Sequence, residues 1–165
     1  MGSTFGASPI CLATTFLRGI PVPIRIEAPR TRHQAGIAAR AMTLLRTSFR
    51  LHGHTIETGL DCVGVVLCCL RESAPDLQVP ANYRVRGAYD ERALAFFDEA
   101  RFQLVDDASW VAGDILQLRP AYRQIHFAVL TLQGAVHAHM GLGRVVLTPL
   151  PLPYCKIAQW RFRGD

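Results

Sequence analysis

The apolar residues of this chain change their spacing once, and that change limits the fold more than any other feature. Before about residue 71 they recur at helical intervals. Ile37, Ala41, Leu44 and Leu45 do so between about 32 and 46, and Val65, Val66, Cys69 and Leu70 make one stripe over 61–71. Asp61 stands where a helix N-cap belongs. A further amphipathic helix is expected from Asp90, with Leu94, Phe97, the Arg101 stem and Leu104 on its buried face. Past Trp110 the period shortens. The segments 114–118, 123–130, 135–139 and 144–150 are short, rich in Val, Ile and Leu, and separated by Gly or Pro, as antiparallel strands joined by hairpins are. Helices first and a sheet second is the α+β arrangement.

With 165 residues the chain is about one domain, long enough to bury a core unaided. Residues 1–30 carry Pro9, Pro21, Pro23 and Pro29 without either period. They read as an extended or disordered arm, or as sequence upstream of the folded domain, which then spans 31–165. No apolar run approaches the roughly 20 residues of a membrane span. The N-terminal apolar stretch lacks a basic leader and is broken by Gly6, Pro9, Arg18 and Pro21. The expectation is a chain without a signal peptide, cytoplasmic on synthesis and not membrane-bound.

The net charge of +5 raises nucleic acid as a partner. Lys156 is the only lysine among the 18 basic residues, and the arginines are scattered singly rather than in runs. That pattern argues against nucleic acid and suits a polyanionic partner. Five cysteines, two of them adjacent at Cys68 and Cys69, make a poor disulfide framework, and no zinc-type spacing is present. Reduced thiols and no metal or other cofactor are expected.

Cys62 differs from the others by position. It opens the first turn of a helix, where free backbone N–H groups and the helix dipole favour a thiolate and lower a thiol pKa from about 8.5. The same N–H groups suit an oxyanion formed when sulfur attacks a carbonyl. An isolated cysteine at a helix start is ordinarily a small core residue, so the reading needs a base. His126 begins an apolar strand, and His137 and His139 lie on one face of the next. A turn near 131–134 sets His126 opposite either His137 or His139, according to which loop forms. A second histidine would hold the other ring nitrogen of the first, completing a Cys–His–polar triad.

These residues resemble the NlpC-type family of bacterial cell-wall cysteine peptidases. The likeness rests on Phe49-Arg50-Leu51-His52-Gly53, on Gly59-Leu60-Asp61-Cys62-Val63-Gly64-Val65-Val66, on Ala112-Gly113-Asp114-Ile115-Leu116, on His126-Phe127-Ala128-Val129 and on Val136-His137-Ala138. It covers about 35–160 in order, with Tyr154 and Trp160 fitting an aromatic C-terminal tail. It implies a papain-like fold with the nucleophile at a helix N-terminus packed on an antiparallel sheet. It also implies a catalytic triad of Cys62, His126 and His137, selecting His137 over His139, and cleavage of amide bonds in peptidoglycan stem peptides by a cysteine endopeptidase. The layout is similar to the branch found in phages and prophages, which implies phage-like tail proteins as partners, incorporation into a particle and action at the periplasm or wall. Two departures stand out. Phe49 occupies the place of a common tyrosine, losing a hydroxyl near Cys62, and Arg46-Thr47-Ser48 replaces a Gly-Thr-Pro approach.

Asp61 is expected to cap the helix rather than move protons, and His52 and His54 to be exposed loop histidines that could line the cleft. Two rival classes share the residue pattern. One is an inactive structural tail-tip protein of the same fold, and the other a thiol amidase or acyltransferase on a different acyl substrate.

Overall fold

The computed structural model describes residues 15–17, 20–22, 24–78, 83, 101–105, 109–122 and 124–164. The described residues open with a small hairpin of β1 (Thr15–Leu17) and β2 (Ile20–Val22), then β3 (Ile26–Glu27) and helix α1 (Arg32–Thr43). Short strands β4 (His54–Thr55) and β5 (Gly59–Leu60) lead into helix α2 (Cys62–Leu70). Seven described strands follow: β6 (Phe102–Leu104), β7 (Trp110–Val111), β8 (Ile115–Arg119), β9 (His126–Thr131), β10 (Gly134–His139), β11 (Arg144–Thr148) and β12 (Cys155–Phe162). Six of these form one antiparallel sheet in the order β11-β10-β9-β8-β12-β6, while β7 pairs in parallel with β3 from the N-terminal arm.

The α+β fold with helices before the sheet is the expected one. Helix α1 starts where Thr31 accepts the Gln34 amide and the Gln34 side chain accepts from the Thr31 amide, a reciprocal capping box. Helix α2 is buried on nearly every side, with only Leu67 partly open, rather than carrying a single apolar stripe. A helix apolar all round belongs inside a core. It packs with α1 against one face of the sheet, meeting Ile115, Phe127, Val129, Val136 and Trp160. The alternate residues Leu116, Leu118, Ala128, Leu130 and Ala135 face the other side, where Leu152 and Tyr154 cover them.

Three readings of the sequence change. Of the helix expected from Asp90 to Leu104, the part described is strand: Phe102 is buried, Leu104 is 53% exposed, and both pair with β12. Two alternating residues at the end of a helical-looking run were enough to hide a strand. Leu94 and Phe97 lie outside the described residues. Nothing in the spacing of apolar residues announces the longest described strand, β12. A register shift between Lys156 and Ala158 breaks its alternation, and its buried Gln159 and half-buried Arg161 look like surface residues. Finally, Cys155 is disulfide-bonded, while Cys62, Cys68 and Cys69 are free. An odd cysteine count forbids complete pairing, not a single bridge. Cys11 lies outside the described residues.

The polar residues of β12 have a buried partner. Arg161 donates two hydrogen bonds to Asp114, at 2.9 and 2.7 Å, and Gln159 and Gln34 add donors at 2.7 and 3.3 Å. Asp114 has no solvent exposure. One carboxylate therefore joins β8, β12 and the start of α1. Gly113 makes the approach possible: its φ is +96°, and a Cβ there would lie 2.4 Å from the Gln34 carbonyl oxygen. This is what the Gly-Asp motif does in the fold.

Candidate active site

The head of α2 is built by the loop before it. Asp61 accepts the Gly64 amide at 2.8 Å through Oδ1 and the His52 amide at 2.9 Å through Oδ2, so it caps the helix as expected and ties down the preceding loop. Gly64 lets the two touch, since a Cβ there would sit 2.0 Å from the Gly53 carbonyl oxygen. The Gly64 and Val65 amides are taken by the cap, which leaves those of Cys62 and Val63 directed at the sulfur. Two free N–H groups beside a thiol are the donor pair that an oxyanion needs.

The loop approaching this turn keeps a glycine-like shape without glycine. Arg46 holds φ at 73°, the left-handed conformation that disfavours a side chain by about 1–2 kcal/mol. Its amide bonds the Val145 carbonyl and Thr47 accepts from Val145 in return, so pairing with β11 compels the geometry.

A hydroxyl reaches the head of α2 from another segment. Tyr83, on the segment after α2, donates its hydroxyl hydrogen to Asp61 Oδ2. Its oxygen lies 3.0 Å from His54 Nε2, whose N–H is the remaining donor. Burial and the neighbouring Asp61 carboxylate push the Tyr83 pKa upward, so the phenol stays protonated. His52 is exposed and sets its ring edge against Tyr83 at 4.8 Å, and it lines the cleft; His54 is half-buried. Nothing in the sequence singles out Tyr83, because its loop carries no periodic pattern.

The rings of His126 and His137 meet. His126 Nε2 and His137 Nδ1 are 2.9 Å apart, and His137 Nε2 lies 2.9 Å from Thr148 Oγ1. The strand register alone would not have chosen this. Pairing runs Thr131↔Gly134, Leu130↔Ala135, Val129↔Val136, and its continuation would set His126 across from His139. The ladder ends there, and the ring of His126 instead reaches its diagonal neighbour. His139 turns to accept the Leu142 amide and caps a 3-10 turn, Met140–Leu142. Tyr154 packs its ring against both His126 and His137, with centroids 6.0 and 5.9 Å away.

Cys62, His126 and His137 line one cavity of about 450 Å³, together with Phe49, Ile125 and Tyr154. The sulfur touches the backbone amide of Phe127, the residue after His126. Thus the helix head and the strand start converge. Among the described residues, no group of three or more His, Cys, Asp and Glu side chains is arranged to hold a metal. Nor is any described helix long and apolar enough to cross a membrane.

The electrostatics differ from the sequence expectation. Burial pushes the Cys62 pKa up to about 12, and the adjacent Asp61 carboxylate adds to the rise against the pull of the Phe127, Val63 and Cys62 amides. A buried N-cap carboxylate offsets the helix dipole that was expected to lower it. His126 is pushed down to about 3 by burial and by His137 and His139, and His137 down to about 4 by burial and His139. These shifts favour a thiol and neutral imidazoles over an ion pair in the resting site. Below such a pKa the thiolate fraction grows about tenfold per pH unit. Iodoacetamide labelling of Cys62, followed by peptide mapping, is therefore expected to accelerate steadily from about pH 6 to about pH 10. A rate plateau around neutrality would reveal a preformed thiolate–imidazolium pair instead.

Comparison with known proteins agrees with this architecture. No protein-family model matches the chain, and no curated protein sequence matches it significantly. Solved structures do. The NlpC/p60 domain of the peptidoglycan hydrolase SagA superposes with a TM-score of 0.54 at 18% identity, over 76% of this chain and 96% of that one. NlpC1 from Trichomonas vaginalis gives 0.59 at 17%, over 87% of this chain and 53% of its own. The P60 domain of an antigen from M. avium subspecies paratuberculosis gives 0.56 at 13%, over 81% and 96%. The fold is therefore papain-like α+β, with a cysteine at the head of a helix buried on an antiparallel sheet. More narrowly, it is the fold of NlpC/p60 domains.

Proposed function

We propose that the chain is a cysteine peptidase that hydrolyses amide bonds in peptidoglycan stem peptides. The observation that carries this reading is the convergence of Cys62 and the bonded His126–His137 pair on one cavity. The peptidoglycan hydrolase named among the similar structures supports the substrate class. A cavity of about 450 Å³, lined by apolar residues together with several histidines and tyrosines, suits a short peptide segment.

In this reaction His126 Nδ1 takes the Cys62 proton as the sulfur attacks the amide carbonyl carbon. The Cys62 and Val63 amides hold the resulting oxyanion. His126 then returns the proton to the departing nitrogen, the C–N bond breaks, and an acyl thioester remains on Cys62. Water, losing a proton to His126, attacks the thioester, releases the carboxylic acid and regenerates the thiol. His137 keeps His126 oriented throughout. Starting from a neutral pair places the whole proton transfer within the first barrier, so the base must act in the transition state rather than before it.

Placement with phage or prophage tails, and with it synthesis in the cytoplasm before incorporation into a particle, rests on motif layout alone. It is secondary to the hydrolase reading.

The deciding experiment incubates purified wall with the protein and with its Cys62→Ala variant, and reads the products by mass spectrometry. Stem-peptide fragments from the unsubstituted protein alone are expected. Fragments from neither protein would overturn the peptidase in favour of an inactive scaffold. Release of whole stem peptides from the sugar would make the chain an amidase.

A further inference from the structure

We propose that Thr148 is a positioning residue for the histidine pair, its hydroxyl oxygen accepting the His137 Nε2–H and so setting which nitrogen of His126 is free. The inference rests on the reading of Cys62 and His126 as nucleophile and base, and adds a fourth member to their chain.

The argument is one of counting protons. His126, His137 and Thr148 make two hydrogen bonds in series, each 2.9 Å long. A neutral imidazole carries one N–H, so the series has two self-consistent polarities. In one, His126 Nε2–H donates to His137 Nδ1, and His137 Nε2–H donates to Thr148. His126 Nδ1 is then a bare lone pair. In the other, Thr148 donates, His137 Nδ1–H donates, and the His126 proton sits on Nδ1. Only the first can take a proton from Cys62. It is also the better one afterwards, because the imidazolium formed on His126 faces an acceptor that is itself polarised toward Thr148.

Position in the sheet makes Thr148 the residue for this. His137 pairs with Val146 across β10 and β11, and Thr148 lies two residues further on, which returns it to the same face. His137 is 1% exposed. Without the Thr148 hydroxyl, the His137 Nε2–H loses the acceptor the structure gives it, and the opposite polarity, which needs no acceptor there, gains population.

The test compares the unsubstituted protein with Thr148→Val and Thr148→Ser. Imidazole 15N resonances of the substrate-free proteins report which nitrogens carry protons, and steady-state kinetics on wall peptides separate kcat from KM. The unsubstituted protein should show His137 protonated at Nε2 and His126 bare at Nδ1. Thr148→Val should shift both histidines toward the opposite tautomers and lower kcat about ten- to hundredfold, with KM little changed. Thr148→Ser should restore tautomers and kcat together. His137 protonated at Nδ1 in the unsubstituted protein would overturn the proposal, as would a valine variant with unaltered tautomers. The resonances need no turnover. Expected tautomer shifts in a protein that cleaves nothing would support the positioning role while removing the peptidase reading. If the valine variant does not fold, the unsubstituted and serine proteins still decide the polarity.

Discussion

Replacing His126 with alanine is expected to lower kcat on wall peptides by about a thousandfold, with the fold intact. The size follows from the resting state of the site. With the thiol raised to about 12 and the imidazole lowered to about 3, almost no thiolate exists before substrate binds. The base is needed twice, once to take the sulfur proton and once to release the amine, so its loss is not compensated by a preformed nucleophile. His126 is the first residue of β9, and its ring lines the cavity beside Tyr154 and His137. Its removal should therefore leave circular dichroism and the denaturant midpoint nearly unchanged. The His137→Ala change should cost less, because it disturbs the orientation of the base and leaves its nitrogen present. Residual hydrolysis within tenfold of normal in His126→Ala would mean that another group moves the proton.

The second large effect is on stability. Asp114→Ala is expected to destabilise the fold by about 3–5 kcal/mol, the usual cost of leaving one member of a buried ion pair alone. Arg161, 14% exposed at its side chain, would lose both of its hydrogen bonds to Asp114, and Gln159 and Gln34 would each lose a partner. A domain of this kind has roughly 5–15 kcal/mol in all, so the loss is a large fraction of it. The measurement is equilibrium unfolding in urea, where the midpoint should fall while the slope is kept. Asp114→Asn retains an acceptor for Arg161 and should fall between. A midpoint unchanged by the alanine substitution would show that solvent reaches this cluster and that the junction of β8, β12 and α1 is held by apolar packing alone.

These two residues show what kind of information each level carried. The sheet and helices were legible because their apolar periods are local: Val65 to Leu70 and Phe127 to Leu130 announce themselves within one element. Asp61 was legible as a cap for the same reason. Chemistry at a helix head and a histidine at a strand start are also local facts, so Cys62 and His126 are legible in the sequence.

What the sequence could not carry were contacts made across many residues. Asp114 reads as a polar residue before a strand until Arg161 arrives from β12, 47 positions later. Tyr83 reads as loop until its hydroxyl is found on Asp61, and Thr148 as strand until it meets His137. The choice between His137 and His139 depended on where the ladder ends, and the protonation of Cys62 on how deeply its helix is buried. Periodicity records which face of an element is apolar, since that is decided by the element's own geometry. Hydrogen-bond partners and desolvation are decided by whatever the fold brings alongside, and only the tertiary structure contains that.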